Sequence, residues 1–582
     1  MKMFYKKAIA FILAVTVSFS VFGLTGCGPK DDGSPETLSI FAVKLGYGTK
    51  WLEEIIEDFK NDSRIKEKYP NLKVDPLDTL PSGNAALDRM LSGKNGNKYD
   101  LLFSTFSASG YLGRKDQMGK NYEDLTDLFN TPIPGETNED GDPLLMKDKL
   151  VPTIRSWCER HDAKNADGSD DLEKTNYGVF PWVNGTIGLM YNKSALDTLF
   201  PGDYRLPKTT DELDELAHRI IDKNTTPYIY TPGLYDIGVE GVWHAQYDKL
   251  EGYNKYFNLL DADDMRTPEV IKDMGKTRMY QTLNQIVGSE KTDTAEANDE
   301  IRAKNHSHNT LDSFDQIQIR FLAGQGVFMF NGDWFATEMD NAPAEYDNDI
   351  RFMKTPIISA VSEQLIYYND DKSADSGFFG LSAEKRAGYD AILRKLVMYA
   401  DGECDKTAVQ AEYAARGKSD AGIDGDIEYI EEIRTYMCQL GGHEAFIPSY
   451  ADAKDLAKDF LLYMATDKAI ETFMRSTYGC SSAFSYDVQT KNPELYDSFN
   501  IMQKERHVMV NNSKVLPQES SFKSVAMGGF GMKKPGNSLI GFFMSENAKD
   551  RATPREIIDF DYNYYTKEGE LNWKTMLQSM GL

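Results

Sequence analysis

Cysteine is scarce in this chain: five in 582 residues, at Cys27, Cys158, Cys404, Cys438 and Cys480, with no Cys-x-x-Cys pair. That excludes a disulfide-dense scaffold and a thiolate zinc ribbon, which need many or closely paired thiols. The spacings define no connectivity, so the last four stand either as bridges or as buried thiols. Histidine is nearly as sparse, and His306 and His308 fall together in a polar run that reads as an exposed loop. Positive charge is in deficit: 65 Lys and Arg face 91 Asp and Glu, a formal net charge of −26. Nucleic acid and other polyanions need a basic face, so they are excluded as partners. No internal repeat and no long low-complexity tract is present, which argues against a solenoid or a stalk. Nor is there a Gly-x-Ser-x-Gly elbow or a His-Glu-x-x-His motif, the marks of two hydrolase classes.

What is present begins at the N-terminus. Lys2, Lys6 and Lys7 precede an uncharged, mostly apolar stretch from Ala8 to Leu24, and Leu24-Thr25-Gly26-Cys27 follows. Basic start, apolar middle and small residues before a cut are the order of a secretory signal. Leu-x-Gly-Cys resembles the bacterial lipobox, which implies residues 1–26 as signal peptide and Cys27 as the acylated anchor carrying chains such as palmitate. The apolar stretch is short for a bilayer span of about 20 residues, whereas two or more acyl chains hold a protein to a membrane stably. Loss of three lysines and no acids takes the mature chain to −26 − 3 = −29. Residues 27–36 are rich in Gly, Pro and Asp and are expected to be a flexible tether. The expected place is the cell membrane, on its extracellular or periplasmic side. Beyond the signal, no segment is long and apolar enough to span a bilayer.

The hydrophobic fraction of 41% is that of a globular protein, and the length exceeds one core, so two or more lobes are expected. Residues 37–43 read as a buried strand, 49–60 as a helix with Trp51, Ile55, Ile56 and Phe59 on one face, 72–77 as extended, 82–91 as a helix and 99–104 as a strand. Strand and helix in alternation predict a parallel sheet with its ligand loops beyond the strands' carboxyl ends, here after Val43 and Ser104. A second α/β region starts near Tyr177. It holds a strand at 188–192, a Thr-capped helix from Pro207, a helix at 312–322, a strand at 326–330 and a turn into a helix at 332–339. Helices at 453–464 and 468–475 end at Gly479. The acidic runs 165–171 and 420–428 lack the alternating ligands and closing Glu of a calcium loop and read as solvated loops.

Five segments in order resemble the family 1 extracellular solute-binding proteins, the sugar-binding subunits of bacterial ABC importers. They are Leu38 to Val43; Tyr177 to Gly185 leading into Gly188-Leu189-Met190-Tyr191-Asn192; Pro207 to Leu213; Phe321 through Asn331-Gly332-Asp333-Trp334; and Ala457 to Met464. The chain departs from the family by extra residues around 130–176, 235–310 and 395–450. The resemblance implies an α/β, two-lobe periplasmic-binding-protein type II fold with a hinge and an interlobe ligand cleft. Lobe 1 is expected at 37–150 and 376–485, lobe 2 at 151–375 and 486–582. It also implies a monomer that captures a mono- or oligosaccharide and delivers it to an ABC permease, with no catalytic residue, metal or cofactor.

A sugar needs an aromatic platform for its C–H face and planar polar groups for its hydroxyls. Trp182 with Asn184 and Trp334 with Asp333 sit in loops beside predicted strand ends, and Tyr230 and Trp243 are further platforms. On the first lobe Tyr47 and Phe106 qualify by loop position. Each of these serves packing or turn formation equally well. A secreted glycoside hydrolase, with two carboxylates across a cleft, and a binding protein for a peptide or other non-sugar solute are the alternatives.

Overall fold

The computed structural model describes residues 35–44, 46–80, 84–91, 93, 97–104, 120–159, 174–229, 234–257, 268–286, 306–307, 314–340, 342, 348–371, 376–440, 443–517, 543, 551–566 and 573. The signal segment 1–26, Cys27, Phe106 and Tyr230 lie outside them.

Among the described residues two main β-sheets organise the chain, beside two two-stranded pairs. The smaller has five strands in the order Asp78–Leu80, Ile40–Val43, Leu101–Phe103, Glu444–Phe446, Phe180–Pro181. Its first three strands are parallel and the fourth is antiparallel to both neighbours. Ile40–Val43 is buried along its whole length, as an unbroken apolar run demands when helices cover both faces. One cover is the helix Lys50–Asn61, which buries Trp51, Leu52, Ile55, Ile56 and Phe59. It packs on the helix Asp467–Ser476.

The larger sheet has seven strands centred on Gly185–Asn192, all eight residues of which are buried. Phe328–Gly332 pairs with it over residues 187–191. Ile350–Met353 and Tyr436–Leu440 pair with its two halves, all antiparallel. Tyr228–Ile229 and His306–Ser307 extend one side, and Lys514–Pro517 extends the other in parallel with Tyr436–Leu440. Thr209 caps the helix Thr210–Asp222 by accepting from the Glu212 amide at 3.2 Å, the local rule that marked this start in the sequence.

The chain passes from the small sheet to the large one through Trp182-Val183-Asn184 and returns between Leu440 and Glu444. It then reaches the large sheet again at the helix Ile501–Asn511, which packs on Ile350–Met353. The first two crossings fall downstream of the expected borders at 150 and 375. Residues 376–440 therefore side with the large sheet. Their helix Ala383–Ala400 is tied to it by Asp390, which accepts from Thr209 at 2.9 Å and Ser359 at 2.8 Å. Tyr429 of the helix Ile423–Ile433 donates to the Tyr247 carbonyl at 2.6 Å. No disulfide joins any two of Cys158, Cys404, Cys438 and Cys480. Among the described residues no helix is long and apolar enough to cross a membrane.

Candidate functional site

The first crossing places Trp182 and Asn184 where the two sheets meet. Trp182 is 3% exposed. Its indole stacks on Trp51 with ring centroids 4.7 Å apart and 18° between planes. Its N–H donates to the Ser104 carbonyl at 3.0 Å, at the carboxyl end of the strand Leu101–Phe103. Asn184 is buried, and its backbone N–H donates to the Ser481 carbonyl at 2.9 Å. His443, on the second crossing, sets its ring edge-on to Trp182 at 5.2 Å. All of these are neighbours only because two crossings lie side by side.

Tyr47 comes from the loop after Ile40–Val43, between Gly46 at φ +65° and Gly48 at φ +64°. Those left-handed conformations are costly for other residues. Its ring stands edge-on to Trp182 at 5.4 Å, to Trp334 at 5.9 Å and to His443 at 5.3 Å. Its hydroxyl donates to Asp333 Oδ1 at 2.5 Å. That bond joins the loop beyond a small-sheet strand to the loop beyond a large-sheet strand. Asp333 Oδ2 accepts from Arg506 Nη1 at 2.9 Å, and Arg506 Nη2 donates to the Gly479 carbonyl. Burial holds the Asp333 carboxyl above its ordinary range, opposed by the Arg506 charge and the Tyr47 hydroxyl. Burial and the adjacent Asp333 carboxylate drive the Tyr47 hydroxyl far above its ordinary value, so it acts as a donor.

Trp334 lies between glycines from both sheets. A Cβ on Gly332 would come 2.0 Å from its ring, and one on Gly46 would come 3.3 Å from its Cγ. The Gly-Asp-Trp run thus has a packing reason at each position. The cavity behind Trp182, lined in part by Ile55, Phe180, Phe473 and Phe484, measures about 10 Å³, the floor of what one water needs.

Of the sequence candidates, Trp182, Asn184, Asp333, Trp334 and Tyr47 come together at this junction. Trp243 does not. It is fully buried in the large-sheet core, its N–H donates to the Pro356 carbonyl at 3.1 Å, and its ring meets Phe330 edge-on. Sequence reasoning missed Arg506 and His443. Arg506 lies in a helix beyond every segment that carried the family resemblance, and His443 has no local pattern. Trp51 was read as a helix-face residue, which it is; its stack with Trp182 is a tertiary fact.

Two α/β sheets joined by crossing segments, with aromatic and polar side chains gathered where the loops beyond their strands face each other, define a hinged cleft protein of the periplasmic-binding type. The chain belongs to the bacterial extracellular solute-binding proteins, whose family profile matches residues 46–375. Among solved structures it is similar to the bacterial solute receptor AcbH, described as having an exclusive preference for β-D-galactopyranose. That match has 12% identity and a TM-score of 0.51, over 92% of this chain and 99% of that one. It is also similar to a chitin oligosaccharide binding protein, at 13% identity and a TM-score of 0.50 over 93% of this chain and 100% of that one. No curated protein matches the chain.

Proposed function

We propose that this protein captures a carbohydrate in the cleft between its two sheets and hands it unchanged to an ABC permease. It is held as a monomer at the outer face of the membrane by acyl chains on Cys27. The observation that carries the reading is the Tyr47–Asp333–Arg506 network set among Trp182, Trp334 and His443. A carboxylate flanked by indoles is the pair of chemistries a sugar demands: two oxygens for adjacent hydroxyls and a flat ring for the C–H face. The sugars named for the two similar structures support the same ligand class. Asn184 is assigned to the hydroxyl rim, while Tyr230 keeps its role as a further platform.

In the arrangement described, the rings pack on one another and Asp333 is satisfied by the protein itself. Entry of a sugar therefore requires the lobes to part and the Tyr47 bond to open. Ligand hydroxyls then take over the Asp333 oxygens, and contacts from both lobes favour reclosure in proportion to their difference between open and closed states. The closed form is what the permease recognises.

The test is thermal-shift screening of the purified mature chain, with Cys27 replaced, against mono- and oligosaccharides, each sugar analysed afterwards for hydrolysis. A ligand at about 100 times its Kd stabilises the folded state by about 2.7 kcal/mol. A clear shift with a sugar recovered intact supports capture. No shift with any sugar overturns the ligand class, and sugar breakdown points to the hydrolase instead.

A further inference from the structure

One cluster of titratable side chains lies away from the junction of the two sheets, between residues 244 and 273. The helix Leu234–Phe257 carries His244 and Asp248, four residues apart and so on one face. Asp273 immediately precedes the helix Met274–Ile286, and its Oδ1 accepts from the Lys276 amide at 3.0 Å. The two helices pack together and bring the three side chains to one point. His244 Nε2 is 2.8 Å from Asp273 Oδ1 and 3.0 Å from Asp248 Oδ2.

One ring nitrogen faces two carboxylate oxygens, yet it carries at most one proton. Asp248 Oδ2 is shut off from solvent, and although His244 Nε2 lies 3.0 Å away, the aligned contact of that nitrogen is with Asp273 Oδ1. The His244 side chain is 3% exposed. Among the described residues, His244 is the only basic side chain within ion-pair distance of either carboxylate. Gly275 closes one side with bare backbone: a Cβ there would come 2.1 Å from Asp248 Oδ2 and 2.8 Å from His244 Cδ2. Directly after Asp248 the helix breaks at Lys249, which holds φ 56° and ψ 173°.

We propose that His244, Asp248 and Asp273 bind one divalent transition-metal ion of the Zn²⁺ type, fastening the two helices across the break. A neutral imidazole and two carboxylates supply a charge of −2, which a divalent ion cancels. Zn–N and Zn–O bonds of about 2.0–2.2 Å in a tetrahedral site set donor atoms about 3.3–3.6 Å apart, so the carboxylate oxygens, now 2.8 and 3.0 Å from Nε2, need to move outward by about 0.3–0.8 Å to take the ion. Calcium takes about 6–8 oxygen ligands, and a site with three donors, one of them nitrogen, does not suit it. A fourth position stays open for water, as in zinc sites with three protein ligands.

The experiment uses the full mature chain with Cys27 replaced, stripped with a chelator and dialysed against Zn²⁺. Bound metal is counted by atomic absorption, and Co²⁺ is added separately for its visible spectrum. About one Zn²⁺ per chain is expected, with affinity falling by about 100-fold or more in His244→Asn and in Asp248→Asn/Asp273→Asn. Substitution of His306 and His308 by alanine should leave the ion in place. Circular dichroism checks that each variant folds. If a ligand variant does not fold, the wild-type count and a tetrahedral Co²⁺ spectrum carry the test. Failure of the wild-type chain to retain Zn²⁺, or full retention by folded His244→Asn, overturns the proposal.

Discussion

Replacing Asp333 with asparagine removes one charge and almost no volume. The amide oxygen still accepts from the Tyr47 hydroxyl, so the cross-sheet bond survives in weakened form. Arg506, with its side chain 3% exposed, is left with the Gly479 carbonyl and no counter-charge. Breaking a buried pair by removing one partner costs about 3–5 kcal/mol, because the remaining charge stays desolvated. The surviving carbonyl bond offsets part of that, so about 3 kcal/mol is expected for Asp333→Asn. Pairing it with Arg506→Met removes the stranded charge and keeps most of the side-chain bulk. The double variant should therefore recover at least half of the single variant's loss, a coupling of about 1.5 kcal/mol or more. Urea unfolding followed by tryptophan fluorescence reads this directly, since Trp182 and Trp334 lie in the same cluster. A single-variant cost under about 1 kcal/mol, or a double variant equal to the sum of its parts, would refute the view of Asp333–Arg506 as a tightly coupled buried pair.

Tyr47→Phe deletes the hydroxyl that joins the two loops. A hydrogen bond to a charged group contributes about 1.5–3 kcal/mol, so the closed-to-open ratio should fall at least about tenfold, and an unchanged ratio, read from solution scattering and ligand affinity, would count against a latch. Trp182→Ala removes the stack on Trp51 and should destabilise the chain by about 3–5 kcal/mol; a loss below about 1 kcal/mol would mean the junction relaxes around it. Trp243→Phe should lower stability while leaving the affinity for any identified solute within about twofold, and a large affinity loss would return Trp243 to the site. Glu338, with Gln318 donating to it at 2.6 Å, is pushed up to about 7 by burial. A folded-state value above the unfolded one of about 4.3 means this group's stabilisation is full below about pH 4 and is lost as pH rises through about 7. Glu338→Gln should flatten that decline by up to about 3 kcal/mol between pH 5 and 8, read from denaturation midpoints at the two ends.

Much of the architecture was legible because local rules carry it. The helix face of Trp51, Ile55, Ile56 and Phe59 showed in its spacing and is buried as that spacing requires. The Thr209 cap, the strand running through Gly188 to Asn192 and the turn after Gly332 were each read from a few adjacent residues, and each stands in the structure. Trp182, Asp333 and Trp334 were singled out as loop residues beside strand ends, and all three gather around Tyr47. Lobe membership was not legible. Residues 376–440 join the large sheet because Tyr436–Leu440 pairs with Gly185–Ile187, and no local propensity records which distant strand a segment will pair with.

By itself, then, the sequence determined the burial face of the helix Lys50–Asn61, the Thr209 cap, the order of the strands and helices it marked and the excess of negative charge, properties of composition or of residues within a turn or two of one another. Only the tertiary structure decided which polar groups meet. Tyr47 and Asp333 are 286 residues apart, and Arg506 lies 173 beyond Asp333. His244 and Asp273 are separated by 29. Periodicity reports that a side chain points inward; the groups waiting there are set by the packing of whole sheets and helices, which depends on every segment at once.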